Sequence, residues 1–264
     1  MTRTQTQTAP VANEAPLLEM RNIKKNFGAV KALKDASLSV RAGEVHALVG
    51  GNGAGKSTIV RILSGVYQPD GGEITFHGAP IHIHGPKEAR ALGIATIHQD
   101  LSLVDTLDVA ANLYLGNEII RGPKLGWLSL MNKKKMREEA GDAFRNLGVS
   151  IPNVRSVVAR MSGGQRQAIA CTRSMMGSTP TLLIMDEPTA ALGVRETAEV
   201  YELMRRCRDG GAAILLISHD MEEVFEVTDR ITVMRLGRTV TTLDKADVTS
   251  DQIVGLITGS IESL

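Results

Sequence analysis

Short runs of aliphatic and β-branched residues recur along the chain: residues 45–49 (VHALV), 94–97 (IATI), 181–185 (TLLIM), 213–217 (AILLI) and 231–234 (ITVM). Each is apolar almost throughout and does not alternate with polar positions, the pattern of strands buried on both faces of a sheet with helices between them. Residues 73–76, followed by His77-Gly78, read as one arm of a hairpin, so an antiparallel section is expected towards the N-terminal half. From about 101 to 178 the strand signals thin out. Met136, Ala140, Ala143, Phe144 and Leu147 recur there at helical spacing, with charges on the opposite face. This segment is expected to be a helical subdomain inserted into an α/β core, and the Lys133-Lys134-Lys135 run to lie on its solvated side. No repeat with a period of about 20–50 residues is visible.

Composition narrows the function classes. With 43% hydrophobic residues the 264-residue chain can bury a sizeable core, which excludes disorder as its main state. Lys and Arg number 30 against 29 Asp and Glu, so no excess positive charge points to nucleic acid. Aromatics make up only 3%, too few for a base-stacking platform, while 26 glycines suggest recognition through the backbone. The two cysteines, Cys171 and Cys207, are too few for a disulfide framework and read as buried small hydrophobes. No apolar run approaches the ~20 residues needed to cross a bilayer. Residues 1–16 lack an apolar secretory core and read as a disordered polar tail, so the protein is expected to stay in the reducing cytoplasm.

The run 45–49 leads directly into Gly50, Gly51, Asn52, Gly53, Ala54, Gly55, Lys56, Ser57 and Thr58, and then into the helical stretch 59–63. This is G-x-x-x-x-G-K-[ST] in its strand–loop–helix context, a phosphate-binding P-loop. Glycines let the backbone wrap phosphates with its N–H groups inward, and the helix start adds its positive dipole end. Lys56 is placed to pair with β- and γ-phosphate oxygens and Ser57 to offer its hydroxyl to Mg2+. A second acid for the metal is expected at a strand end. Residues 181–185 supply it by running into Asp186 and Glu187, with Asp186 on Mg2+ and Glu187 accepting a proton from attacking water.

Between these two elements stands Met161-Ser162-Gly163-Gly164-Gln165, followed by a helical run. It resembles the L-S-G-G-Q signature of ATP-binding cassette (ABC) ATPases, with Met161 in place of the usual Leu. Gln99 then matches the family's Q-loop glutamine, which contacts Mg2+ and water. His219 matches its switch histidine, and Phe27 the aromatic that stacks on adenine. The resemblance covers residues 17–264. Residues 97–116 and 187–196 look like the monosaccharide-importer branch, for sugars such as ribose, xylose and fructose. One cassette rather than two is similar to the fructose-type systems. Two positions depart from the pattern: Gly51 stands where the branch usually has Glu, and Gly193 where the family has the Asp of its D-loop.

The resemblance implies a P-loop NTPase with a RecA-like α/β core and an inserted helical lobe. It implies ATP hydrolysis with Mg2+, with Glu187, His219 and Gln99 as catalytic residues. Two copies sit head to tail, so that Ser162, Gly163, Gly164 and Gln165 of one close on the ATP held by the other. It also implies integral membrane permease subunits as partners, a periplasmic sugar-binding protein indirectly, and a peripheral place on the cytoplasmic face of the inner membrane. Residues 100–116 are the expected permease contact, with subdomain core as the alternative for about half of Leu101, Leu103, Val104 and Leu107. A soluble ABC-type ATPase acting on nucleic acid or ribosomes is the alternative, but the chain has neither a long coiled coil nor a basic linker. A GTPase would need N-K-x-D, which Asn132-Lys133-Lys134-Lys135 fails at its last position.

Overall fold

The computed structural model describes residues 15–121, 130–177, 179–190 and 192–264; positions 1–14 of the expected tail and Ser178 at the end of the expected helical segment lie outside the described residues. The strands are β1 (Leu18–Phe27), β2 (Val30–Val40), β3 (Val45–Gly50), β4 (Gly71–Phe76), β5 (Ala79–Pro80), β6 (Ile94–Ile97), β7 (Ile120–Arg121), β8 (Leu130–Met131), β9 (Leu182–Asp186), β10 (Ala213–Ile217), β11 (Arg230–Arg235) and β12 (Arg238–Asp244). Ten of them form one sheet in the order β5-β4-β1-β2-β12-β11-β3-β10-β9-β6. The strands that are apolar on both faces take its middle. β3 and β10 are buried at every position and β9 at all but Asp186. They pair in parallel with β11 and β6 on either side. β1, β2, β4 and β5 form the antiparallel wing, in which β4 turns through His77-Gly78 into β5.

Helices cover the sheet because it is apolar on both sides. α1 (Lys56–Leu63) buries Ile59, Val60, Ile62 and Leu63 beneath β1, β2 and β4, and α2 (Pro86–Ala91) packs at the same side. On the other side, Cys171 of α5 (Gly163–Met175) and Val200, Met204 and Cys207 of α6 (Val194–Asp209) meet Leu183 and Leu216 of the central strands. α7 (Met221–Val227) and α8 (Ser250–Thr258) pack against β3 and β11 through Val224, Ile253 and Leu256. Both cysteines are buried, their sulfurs 3.5 Å apart between α5 and α6.

The segment 101–177 has its own apolar centre. Here α3 (Val109–Leu113) and α4 (Lys133–Asn146) gather Val109, Leu113, Met136, Ala140 and Phe144 around Val158 and Ile169. Ile169 comes from α5, so that helix packs one face on this cluster and the other on the sheet. β7 and β8 add a two-stranded ribbon. Lys134 and Lys135 are exposed on α4 and pair with Glu138 and Glu139 one turn on. Of the four apolar residues left open between 101 and 107, Leu103 packs on this cluster and Leu101 on the sheet's helices. Val104 is exposed and Leu107 half-buried.

Registers bring the C-terminal ends of four parallel strands to one edge. Ile217 pairs with both Leu48 and Asp186, and Ile97 with Met185. Gly50, Asp186, Ser218-His219 and His98-Gln99 leave the sheet there, which is where open α/β sheets bind their ligands.

Candidate functional site

The loop between β3 and α1 is built to be close-packed backbone. Gly50 has φ 157° and Gly55 φ 107°, and both need the missing side chain. A Cβ on Gly50 would run into the Met234 carbonyl oxygen, and one on Gly55 would come within 2.6 Å of Leu33 Cδ2. The loop is pinned from both ends, since Ala54 N–H donates to Gly51 O (3.1 Å) and Gly237 N–H donates to Ala54 O (3.1 Å). Asn52, Gly53 and Ser57 are exposed, Ala54 is buried and Thr58 half-buried. Lys56 Nζ donates to Gly50 O (2.6 Å) and Gly51 O (3.3 Å). Burial pulls its ammonium below the usual lysine range, while Glu187 and Asp186 hold it up. Gly51 is exposed with nothing within 4 Å of a Cβ, so the glutamate usual there would meet no obstacle.

Facing the loop, β9 ends in Asp186 and Glu187. Burial, and then the neighbouring Glu187 charge, push the Asp186 carboxyl above its ordinary range; His98, Lys56 and Arg61 pull it back. Glu187 has φ 49°, a left-handed conformation that costs a non-glycine residue on the order of 1–3 kcal/mol. The surroundings enforce it: Glu187 N–H donates to Ile217 O (2.9 Å) and its carbonyl accepts from Ala190 N–H (3.2 Å). The twist sets the Glu187 side chain beside the next strand, where Oε1 lies 3.0 Å from Nδ1 of His219. The imidazole itself is largely exposed, and Gln99 stands exposed just beyond β6.

Phe27, at the end of β1, is 41% exposed. Its ring meets Tyr67 edge to face at 5.0 Å, with Lys25 Nζ 5.7 Å from its centroid. Tyr67 in turn accepts from Arg61 Nη1 at 3.2 Å. Phe27, Tyr67 and Arg61 thus form a contiguous group, and the Arg61 charge is one of three that hold the Asp186 carboxyl down. Sequence reading missed Tyr67, Arg61 and His98. The available signals were that Arg61 follows Ser57 by one turn of α1 and that His98 directly precedes Gln99.

Ser162 and Gln165 form a capping box at the start of α5. Gln165 N–H donates to Ser162 Oγ (3.3 Å), and Ser162 N–H donates to Gln165 Oε1 (3.0 Å). Ser162 is exposed, Gly163 lies against Leu192 and Gly164 against Glu196 and Glu199. Among the described residues, no hydrogen bond or ion pair joins this helix start to the P-loop, Asp186, Glu187 or His219 within the chain. Gly193 begins α6 without a side-chain cap. No helix among the described residues is long and apolar enough to cross a membrane.

The chain is similar to known ATP-binding proteins and cassettes. The ABC transporter family profile matches residues 33–190. The chain is 42% identical over 247 residues to a ribose import ATP-binding protein of Yersinia pestis bv. Antiqua, covering 94% of this chain and 47% of that protein; it therefore spans about half the length of that relative. It is 41% identical over 251 residues to the fructose import ATP-binding protein of Rhizobium meliloti, covering 94% and 96% of the two chains. A nucleotide-free ATP-binding cassette from an ABC transporter superimposes with a TM-score of 0.77 at 25% identity, over 92% of this chain and 95% of that one.

Proposed function

This chain belongs to the ABC transporter family, and on that premise we propose that it is the ATP-hydrolysing subunit of an importer for a monosaccharide. The observation that carries the hydrolytic reading is Glu187, held in a left-handed conformation opposite the P-loop with its carboxylate 3.0 Å from His219. A carboxylate and a phosphate cradle on one sheet edge are what phosphoryl transfer to water requires.

The residues present fit Mg2+. Ser57 and the half-buried Asp186 offer hard oxygen donors, and among the described residues no cluster of three or more His, Cys, Asp or Glu forms an all-protein cage. Mg2+ is commonly bound by one or two protein groups together with substrate phosphates. Ser57, Asp186 and Gln99 would hold it, and when bound it neutralises charge on the phosphate oxygens. The chain's own groups do the rest. Backbone N–H groups of residues 50–58 cradle the phosphates, and the Lys56 ammonium exchanges the loop carbonyls for β- and γ-oxygens. Phe27 offers its exposed face to adenine. Gln99 orients the attacking water, Glu187 takes its proton, and His219 steadies both the Glu187 carboxylate and the γ-phosphate.

Ser162, Gly163, Gly164 and Gln165 act on a second copy. Their helix start, unattached to the site of its own chain, is an anion-binding end free to close over the partner's γ-phosphate. Integral membrane permeases are the further partners, with a periplasmic sugar-binding protein acting through them, which places the chain peripherally on the cytoplasmic face of the inner membrane. Residues 100–116 are the permease contact. A groove of about 290 Å³ between α3 and α4, lined by Leu107, Ala111, Met131 and Met136, is the seat for it. The similarity to ribose and fructose import proteins supports a monosaccharide cargo without choosing among them.

Glu187→Gln tests the hydrolytic reading. It removes the base while keeping the size of the side chain, so turnover should fall by at least ~10²-fold with ATP still bound. Near wild-type turnover would remove Glu187 from the role.

A further inference from the structure

Glu223, on the first turn of α7, is fully buried, yet none of the roles above uses it. Its Oε1 accepts a 2.9 Å hydrogen bond from Thr189 Oγ1, and its Oε2 has no hydrogen-bond partner among the described residues. A carboxyl buried in this way is costly, and a leucine or methionine would fill the same space without that cost. Its position suggests what the carboxyl does. Thr189 lies two residues beyond Glu187, in the turn where Ala190 N–H donates to Glu187 O and Leu192 N–H to Thr189 O. α7 starts directly after His219-Asp220, with Asp220 Oδ1 accepting from Glu222 N–H (2.8 Å) and Glu223 N–H (3.4 Å). Glu187, Thr189, Glu223 and His219 therefore close a ring, the last side being the 3.0 Å contact between His219 and Glu187.

We propose that Glu223 is a positioning residue whose buried carboxyl, seated on Thr189, locks the chain leaving Glu187 to the helix that follows His219 and so keeps those two side chains in register. The proposal rests on the reading of Glu187 and His219 as the hydrolytic pair. Burial also raises the Glu223 carboxyl above the ordinary glutamate range, with Asp220 adding to the effect and the Ser218 and Thr189 hydroxyls and His219 opposing it. It therefore keeps its proton to higher pH than an exposed glutamate.

The test compares the full-length wild type with Glu223→Ala, Glu223→Gln and Thr189→Val. Four quantities are read: kcat and KM for ATP, affinity for a fluorescent ATP analogue, Tm, and the imidazole nitrogen resonances of His219. A positioning role predicts that Glu223→Ala lowers kcat by ~10- to 100-fold, with KM and analogue affinity held within about threefold. The glutamine variant, which keeps an acceptor for Thr189, retains kcat within about threefold, and Thr189→Val falls between. His219 resonances in Glu223→Ala move towards those of an imidazole free of Glu187. An unchanged kcat in a folded Glu223→Ala overturns the proposal, as does a joint loss of kcat, affinity and Tm that glutamine does not repair. Should Glu223→Ala fail to fold, Thr189→Val decides: lowered kcat at unchanged Tm supports the proposal, and unchanged kcat and His219 resonances overturn it. If the wild type hydrolyses no ATP, the hydrolytic reading falls by itself. The His219 resonances then judge the brace alone, displacement supporting it and constancy overturning it.

Discussion

Asp186 and Glu187 set two carboxyls side by side at the end of a buried strand, with burial and mutual repulsion both opposing the charge on Asp186. Folding therefore works against a group that the proposed chemistry needs. Asp186→Asn removes the repulsion without changing shape. It should stabilise the chain by on the order of 1 kcal/mol, raising Tm by about 2–4 °C, while ATP turnover falls sharply. A lower Tm measured by calorimetry, or turnover left intact, would contradict this account of the pair. The identities of these residues were legible in the sequence because each answers a local demand. Gly50 and Gly55 sit where a Cβ has no room, and Lys56-Ser57 follow at a fixed offset. The left-handed φ of Glu187, its contact with His219, and the approach of Arg61 and His98 to Asp186 were not legible, because each arises from strands and helices far apart in sequence.

The same division holds for whole elements. β3, β9 and β10 announce themselves as unbroken apolar runs, and α4 by its 3.6-residue stripe after Asn132, whose side chain accepts from Lys135 N–H. β1 and β2 do not: exposed polar residues and repeated register shifts break their alternation, so only the hairpin at β4 betrayed the antiparallel wing. The start of α5 is legible as the family signature and proves in the structure to be a capping box as well, and these two roles separate experimentally. Thr249 and Gln252 build the same box at the start of α8. Ser162→Ala and Thr249→Ala should each cost about 1 kcal/mol through loss of the cap. If Ser162 also meets the partner's phosphate, only the Ser162 variant should lose turnover beyond what its stability predicts. Equal turnover in the two variants would reduce Ser162 to a cap. Arg173 at the far end of α5 donates to the carbonyls of Leu101 and Ser102, both at 2.8 Å, so the helix that carries the signature also grips the segment just after Gln99.

At the scale of the whole molecule, one chain carries both halves of the proposed ATP site without joining them, since among the described residues no hydrogen bond or ion pair links the signature helix to the P-loop. In the proposed head-to-tail pair two copies would complete two sites, each with the P-loop, Asp186 and Glu187 of one chain and Ser162 to Gln165 of the other. This arrangement makes a complementation test possible. Glu187→Gln alone leaves both sites of its dimer without a base. Ser162→Arg alone should leave ATP binding nearly intact while placing a bulky side chain against both γ-phosphates. In a mixed dimer one site collects both defects and the other none. Equimolar mixing should therefore restore about a quarter of wild-type turnover, because half of the dimers are mixed and each has one intact site. Turnover that stays at the level of the separate variants would mean either that the site closes within a single chain or that the two sites fire only together. A third mixture, wild type with the double variant carrying both substitutions, separates these cases: its mixed dimers hold one defect in each site, so their activity falls to zero if the site is shared and to half if it is not.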